Sequence, residues 1–324
     1  MSVLPPLVLA PNLPETFYAG SGRLAAFRGA ELPDRPEEWI ASTTRRFGSG
    51  NTGTGLSVLP DGTTMLDAVA ADPQVWLGHG DPDVGLLVKL LDAGQRLPLH
   101  VHPDRDFAHS HLASPYGKTE AWIVLDAVPD AVVNLGFSRD VAPGELAAWV
   151  RDQDVVTMLA ATNAIPVRAG DAVLCPAGTP HAIGAGILLV ELQEPTDFSI
   201  MLETEGFPIA ADDALLGLPF DAALSCVTRA AASATQLQQW RTASPGSLLP
   251  PQADPFFRAT RASDGDVLRG FAVLVVTDGS GTLSGEWGTT PVGRGVALVL
   301  PYGAGPTRAE GSASVVVCAP AQRS

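Results

Sequence analysis

Gly94-Gln95-Arg96-Leu97-Pro98-Leu99-His100-Val101-His102-Pro103 places two histidines one residue apart on a segment with strand character. Side chains at i and i+2 of a pleated strand point to the same face, so both imidazoles enter the same space. That is the geometry of a chelating pair. An isolated His-x-His is as readily two strand histidines meeting a carboxylate and water, so the reading depends on what the rest of the chain brings to the same place. Just upstream, Val84 to Leu91 is an apolar run of strand length whose single charge is Lys89. A lysine there marks the solvent face or, pointing inward, offers a ready anion ligand. Downstream, Gly117 to Leu125 alternates in its second half, which puts Lys118, Glu120 and Trp122 on one face. Ala131 to Phe137, Ile165 to Cys175 and Gly186 to Gln193 also read as strands, and Glu191 and Gln193 share a face of the last.

Farther out the pattern changes. Gly48 to Gly55 is Gly-, Ser- and Thr-rich and reads as a flexible loop, and Thr64 to Val69 as the start of a short helix that stops before Pro73. Residues 143–162 carry the best helical periodicity, with Leu146, Trp149 and Val150 on one side and Asp152 as the expected cap of a second short helix. Residues 210–241 are Ala/Leu-rich and helical in pattern, and a Pro- and Ser-rich linker runs from Ser244 to Pro255. From Phe256 to Pro320, short strands at turn-separated intervals suggest a second, smaller β-barrel or sandwich. It contains no histidine, so any metal chemistry belongs to the first part of the chain. The expected organisation is a metal-binding domain over 1–205, a helical segment and linker over 206–255, and a β-barrel over 256–324 that covers an edge of the first.

The bulk properties bound the function. A chain of 324 residues with 46% hydrophobic residues and no apolar run of membrane-spanning length (~18 residues) suits a soluble globular protein of about two domains. Met1 to Pro6 lack the charged and apolar regions of a secretory signal, which places the protein in the cytoplasm. Three scattered cysteines, Cys175, Cys226 and Cys318, argue against a disulfide framework. A net charge of −15 without a basic cluster argues against nucleic acid or an anionic membrane as partner and leaves small molecules, anions included.

Two spacings tie the histidines together. Gly94 is followed by five residues and then His-x-His; Gly170 is followed by five residues, Pro176-x-Gly178, two residues and His181. These resemble the paired motifs of the cupin superfamily, whose small β-barrels hold a metal on three His and one Glu. Here the candidate Glu120 comes later than usual, and Ala185 replaces the Asn that often closes the second motif. Leu86 to Asp104, Gly117 to Trp122 and Gly170 to Asp197, with Glu37-Glu38-Trp39 near the start, look like type I mannose-6-phosphate isomerase in order and spacing. The resemblance implies a mainly β fold: a cupin-type jelly-roll barrel with helical insertions and a second, smaller β-barrel.

It also implies a site. Carried over position by position, the metal ligands fall on His100, His102, Glu120 and His181, with His100 where the family usually has Gln. The family metal is zinc; the donor set serves iron, manganese or nickel as well. Lys118, Glu191 and Asp197 match pocket residues and would supply base, orienter or proton shuttle, while Lys89 and Gln193 would contact substrate. The implied reaction is aldose–ketose isomerisation of mannose 6-phosphate and fructose 6-phosphate. Two departures fall on the phosphate side: Met201 stands where the family has Arg, and Pro98 where it has Ser. Neither offers a charge-assisted hydrogen bond. Three readings follow: the phosphate contacts have moved to Lys89, Lys118 or another arginine; the substrate is another sugar, unphosphorylated sugars included; or the chain is a sugar-binding cupin that keeps the metal without turnover.

Overall fold

The computed structural model describes residues 4–48 and 52–322. Strands make up 30% of the chain and helices 19%, so the molecule is mainly β as the alternating runs predict. The described strands form four antiparallel sheets, two in each half of the chain.

In the first half, one sheet runs Glu37–Ile40, Leu87–Ala93, Ile187–Gln193, Glu120–Ala127, Ala172–Cys175. The facing sheet runs Ile200–Met201, His100–Val101, His181–Ile183, Val132–Phe137, Thr162–Pro166. The pleat sorts each strand into two faces. Leu91, Trp122, Val124, Val173 and Leu189 point between the sheets and pack on Val133, Leu135 and Ile183. Their neighbours Val88, Leu90, Ile123, Val190 and Leu192 point outward and pack on Val273, Val275, Val299, Val316 and Cys318 of the second half. On the other sheet the outward residues Leu99, Val101, Ala182 and Ile200 lie under the helices Pro143–Asp152 and Val155–Ala160, through Leu146, Trp149 and Val150. His100 and His181 alternate with those residues and therefore face inward. The second helix is capped by Asp154, which accepts from Thr157 N–H, rather than by Asp152. Asp152 ends the first helix instead.

The second half has one sheet in the order Leu7–Val8, Ala297–Leu300, Ala272–Asp278, Ser314–Pro320, Phe257–Ala262, and a smaller one that includes the hairpin Ser280–Gly285 and Gly288–Gly293. It packs face to face on the first barrel through a continuous apolar core, where the sequence suggested that it covers an edge. The outward residues of Leu87–Ala93 and Ile187–Gln193 are the reason: Val88, Leu90, Leu188, Val190 and Leu192 are apolar and buried, while the inward faces mix Leu91, Ile187 and Leu189 with Lys89, Glu191 and Gln193. The chain start also crosses over, since Leu7–Val8 pairs with Ala297–Leu300. The Gly48 to Gly55 loop lies partly outside the described residues.

A buried ion pair sits at this junction. Arg28 Nε lies 2.9 Å from Glu38 Oε2, and the same guanidinium donates to the carbonyls of Leu9 and Gly295. Burial pushes the Glu38 carboxyl up to about 7 against the pull of Arg28. The folded state thus holds that proton more tightly than the unfolded chain. The resulting stability is present below the ordinary glutamate range and is lost as pH rises through about 7. Glu38→Gln is expected to remove about 2–3 kcal/mol of that pH dependence. Denaturation midpoints of the variant and the parent at pH 5 and pH 8 check it.

Candidate metal centre

His100 and His181 are direct partners in the second sheet, His102 follows two residues on, and Glu120 opens the strand of the opposite sheet. The ring centroids are 4.1 Å apart for His100 and His181 and 4.8 Å for each pair with His102. Each imidazole turns Nδ1 onto a backbone carbonyl: Pro98 at 2.8 Å, Phe198 at 2.7 Å and Thr179 at 2.8 Å, for His100, His102 and His181 in that order. A carbonyl only accepts, so Nδ1 carries the hydrogen and, in a neutral ring, Nε2 is left with its lone pair.

Those lone pairs meet a carboxylate. His102 Nε2 is 3.0 Å from Glu120 Oε2, and His181 Nε2 is 3.1 Å from Glu120 Oε1. All four side chains are buried, and Glu120 Oε2 and His181 Nε2 lack a hydrogen-bond partner. Acceptor facing acceptor in a buried site is unfavourable unless a cation lies between them. Lys118 supplies part of that charge, with Nζ 3.0 Å from His102 Nε2 and 3.4 Å from Glu120 Oε2. Burial, followed by the neighbouring histidines, holds His100 well below the usual imidazole range. Burial and then Lys118 bring His102 down to about 3. Burial works to raise Glu120, but His102, Lys118 and His181 outweigh it and hold its carboxyl well below the usual range. Neutral imidazole nitrogens and an ionised carboxylate are what a divalent ion binds. The residues fit one.

A second trio of buried groups, Glu120, Cys175 and His181, also offers ligand atoms within 4.8 Å of one another. Cys175 is opposite Glu120 in the sheet register, and burial pushes its thiol well above the usual range.

Two glutamates that the sequence reading missed hold the cluster in place. Glu203 accepts from Leu99 N–H at 2.7 Å and takes both Arg96 Nη atoms, at 2.7 and 2.6 Å, which fixes the residue before His100. Glu194 accepts from Thr119 N–H at 2.9 Å and Arg105 Nε at 2.6 Å, which fixes the residue before Glu120. Gly178 N–H donates to His102 C=O at 2.7 Å and ties the turn before His181 to the His pair. At the head of the first motif, a Cβ on Gly94 would sit 2.1 Å from Gly20 C=O, so the spacing glycine permits a close backbone approach.

The other sequence candidates separate. Trp39, Lys89, Glu191 and Trp122 form one row across the first sheet, on its inner face. Lys89 points inward, with Nζ 3.3 Å from Glu37 and 3.6 Å from Glu191 and over the Trp39 ring. Burial opposes its charge, yet Glu37 and Glu191 hold it above the ordinary lysine range. Burial and the charge of Glu120 push Glu191 up to about 7. Gln193 donates to Thr196 C=O at 2.5 Å and to Glu194 C=O at 3.3 Å, and so braces a turn.

A cavity of about 500 Å³ opens beside this row, bounded among others by Glu37, Trp39, Arg46, Asp197, Ser199 and Met201. Of Lys89, Lys118, Glu191, Gln193 and Asp197, only Asp197 lines it. Its wall touches the histidines: Ser199 Oγ is 3.3 Å from His102 Nδ1, and Met201 pairs with His100. Glu37, also unassigned from sequence, accepts from Tyr18 Oη at 2.5 Å and Trp39 Nε1 at 2.7 Å.

Solved structures share this architecture. The mannose 6-phosphate isomerase of Bacillus subtilis superposes with a TM-score of 0.79 at 22% identity, over 97% of this chain and 99% of that one. The fold is that of the phosphomannose isomerases. A putative mannosephosphate isomerase from Archaeoglobus fulgidus gives 0.78 at 18% identity over 99% of this chain and all of that one. In sequence, the chain is 33% identical over 193 residues to the probable mannose-6-phosphate isomerase GmuF of Bacillus subtilis and 32% identical over 198 residues to the mannose-6-phosphate isomerase of Streptococcus mutans. Those alignments cover 59% of this chain and 59% and 58% of the relatives' own lengths. No protein-family model matches the chain. The resemblance read from the motifs is borne out, and so is the cupin-type, mainly β fold.

Proposed function

We propose that this chain is a metal-dependent aldose–ketose isomerase that interconverts mannose 6-phosphate and fructose 6-phosphate. The observation that carries the reading is the buried meeting of imidazole Nε2 atoms and the Glu120 carboxylate beside a cavity. The names of the sequence relatives support the substrate. His100, His102, Glu120 and His181 would hold the ion, zinc by preference, with iron, manganese or nickel served by the same donors. When bound, the metal would supply Lewis-acid polarisation of sugar oxygens. The proton work falls to the chain. Asp197, in the cavity wall, takes the proton from one of the two adjacent carbons and returns it to the other. Lys118 balances the Glu120 charge beside the ligands, the hydroxyl proton passes between the two adjacent sugar oxygens, and Glu191 keeps Lys89 and Glu37 in place behind the wall.

A coupled assay with mannose 6-phosphate, fructose 6-phosphate and free mannose, before and after chelation, tests the reading. Interconversion of the two phosphates that stops on chelation and returns with added zinc is the expected result. Absence of turnover of every sugar with metal loaded would leave a binding protein. Turnover of free mannose alone would favour the unphosphorylated substrate, which Met201 and Pro98 support.

A further inference from the structure

One more donor faces Glu120. Cys175 is its direct partner across the sheet, and the next inward pair along the same two strands is Trp122 with Val173. Opposed residues of an antiparallel pair put their side chains on one face, with Cβ atoms about 4.5–5.5 Å apart. The Cys175 thiol therefore enters the same buried space as the Glu120 carboxylate. His181 reaches it too: a Glu120 oxygen, Cys175 Sγ and a His181 ring nitrogen all lie within 4.8 Å of one another. Cys226 and Cys318 belong to no such group among the described residues.

Two further observations bear on this trio. Glu120 Oε2 and His181 Nε2, buried atoms without a hydrogen-bond partner, both come from its members. The turn that leads from Cys175 to His181 is also pinned: Ala177 N–H donates to Thr119 Oγ1 at 3.3 Å, and Gly178 N–H to His102 C=O at 2.7 Å. The thiol is thus held to the strands that carry Glu120 and His102. Donor chemistry gives that position a consequence. Imidazole and carboxylate serve manganese and iron as well as zinc, whereas a thiolate selects softer ions such as zinc and cadmium.

We propose that Cys175 is a metal ligand, its thiolate joining Glu120 and His181 on the ion and giving the centre a preference for thiophilic metals over manganese. This rests on the metal centre proposed above. As the sulfur–metal bond forms, the S–H bond breaks and its proton passes to solvent, a step that a divalent ion drives even for a buried thiol. Full-length parent, Cys175→Val, which keeps the position filled, and Cys175→Ser would be loaded with cobalt, zinc, cadmium or manganese alone. The cobalt-loaded parent shows a thiolate-to-cobalt charge-transfer band in the near ultraviolet, and X-ray absorption of the zinc-loaded parent shows a sulfur shell at about 2.3 Å. Both signals vanish in the two variants, while the cobalt d–d bands remain because nitrogen and oxygen donors still hold the ion. In competition titrations, the parent's preference for cadmium over manganese falls by about tenfold or more in each variant. The parent's spectra alone decide whether sulfur is bound, whatever the stability of the variants. A metal-loaded parent with neither signal overturns the proposal and leaves the centre to its nitrogen and oxygen donors. Variants that keep both signals and the parent's preference also overturn it, since another sulfur then supplies them. A parent that takes up no ion fails the metal centre and the cysteine together.

Discussion

Glu120→Ala is expected to abolish the proposed metal binding and isomerase turnover together, and the first loss is the more informative. With zinc at about a hundredfold excess over its Kd, a site present only in the folded protein adds about 2.7 kcal/mol of stability. The parent is therefore expected to show a zinc-dependent rise in Tm, which Glu120→Ala and His181→Ala lack. Turnover should fall by about a thousandfold or more, because the metal and the carboxylate that centres it go at once. Elemental analysis of the purified proteins gives the stoichiometry independently of activity. His100→Gln is the graded case: a carboxamide is a weaker zinc ligand than imidazole, so affinity falls by about 10–100-fold while binding persists. A Glu120→Ala protein that keeps the parent's metal content and its zinc-dependent Tm would sink the metal-site proposal.

How much of this was legible beforehand follows from what each signal encodes. His-x-His on a strand specifies a shared face by period alone, and the structure puts His100 and His102 on one face, as it does Lys118 with Glu120 and Glu191 with Gln193. The convergence of His181 and Glu120 from two other strands needed motif spacing, because nothing local relates residues 60 or 80 positions apart. Burial was harder to read. Lys89 lies in an apolar run that fits either face of a strand, and only the register opposite Glu191 and the nearby Glu37 shows that it points inward and is paired there. Glu194 and Glu203 were invisible because their role is to accept from the backbone N–H groups of Thr119 and Leu99, and a sequence does not reveal which amides lack a partner. The face-to-face packing of the two halves is encoded in the apolar outward residues Val88, Leu90, Leu188, Val190 and Leu192, whose neighbours on the inward face are partly charged.

The same distinction between buried and accessible groups favours one carboxylate as the proposed base. Glu191 and Asp197 are both carboxylates drawn toward neutrality, Glu191 to about 7. Burial raises Asp197 above the ordinary aspartate range, with Lys89, Lys118 and Arg46 opposing and Glu37 assisting. Asp197 alone lines the cavity, whereas Glu191 is closed off behind Lys89 and the Trp39 row. A base must reach the proton that it removes. Asp197→Asn is accordingly expected to lower kcat by about 10²–10⁴-fold with little change in KM, the range for removing a general base. The pH profile carries the sign. The active form is the carboxylate, so the parent's rate falls as pH drops through the raised Asp197 value, and this acid limb disappears from the residual activity of Asp197→Asn. Glu191→Gln acts through Lys89: it loosens the cation's position and lowers kcat/KM less than Asp197→Asn does, while an acid limb remains. If Glu191→Gln erases the limb and Asp197→Asn preserves it, the roles are reversed, and the cavity must open toward the sheet during turnover to bring Glu191 within reach of the sugar.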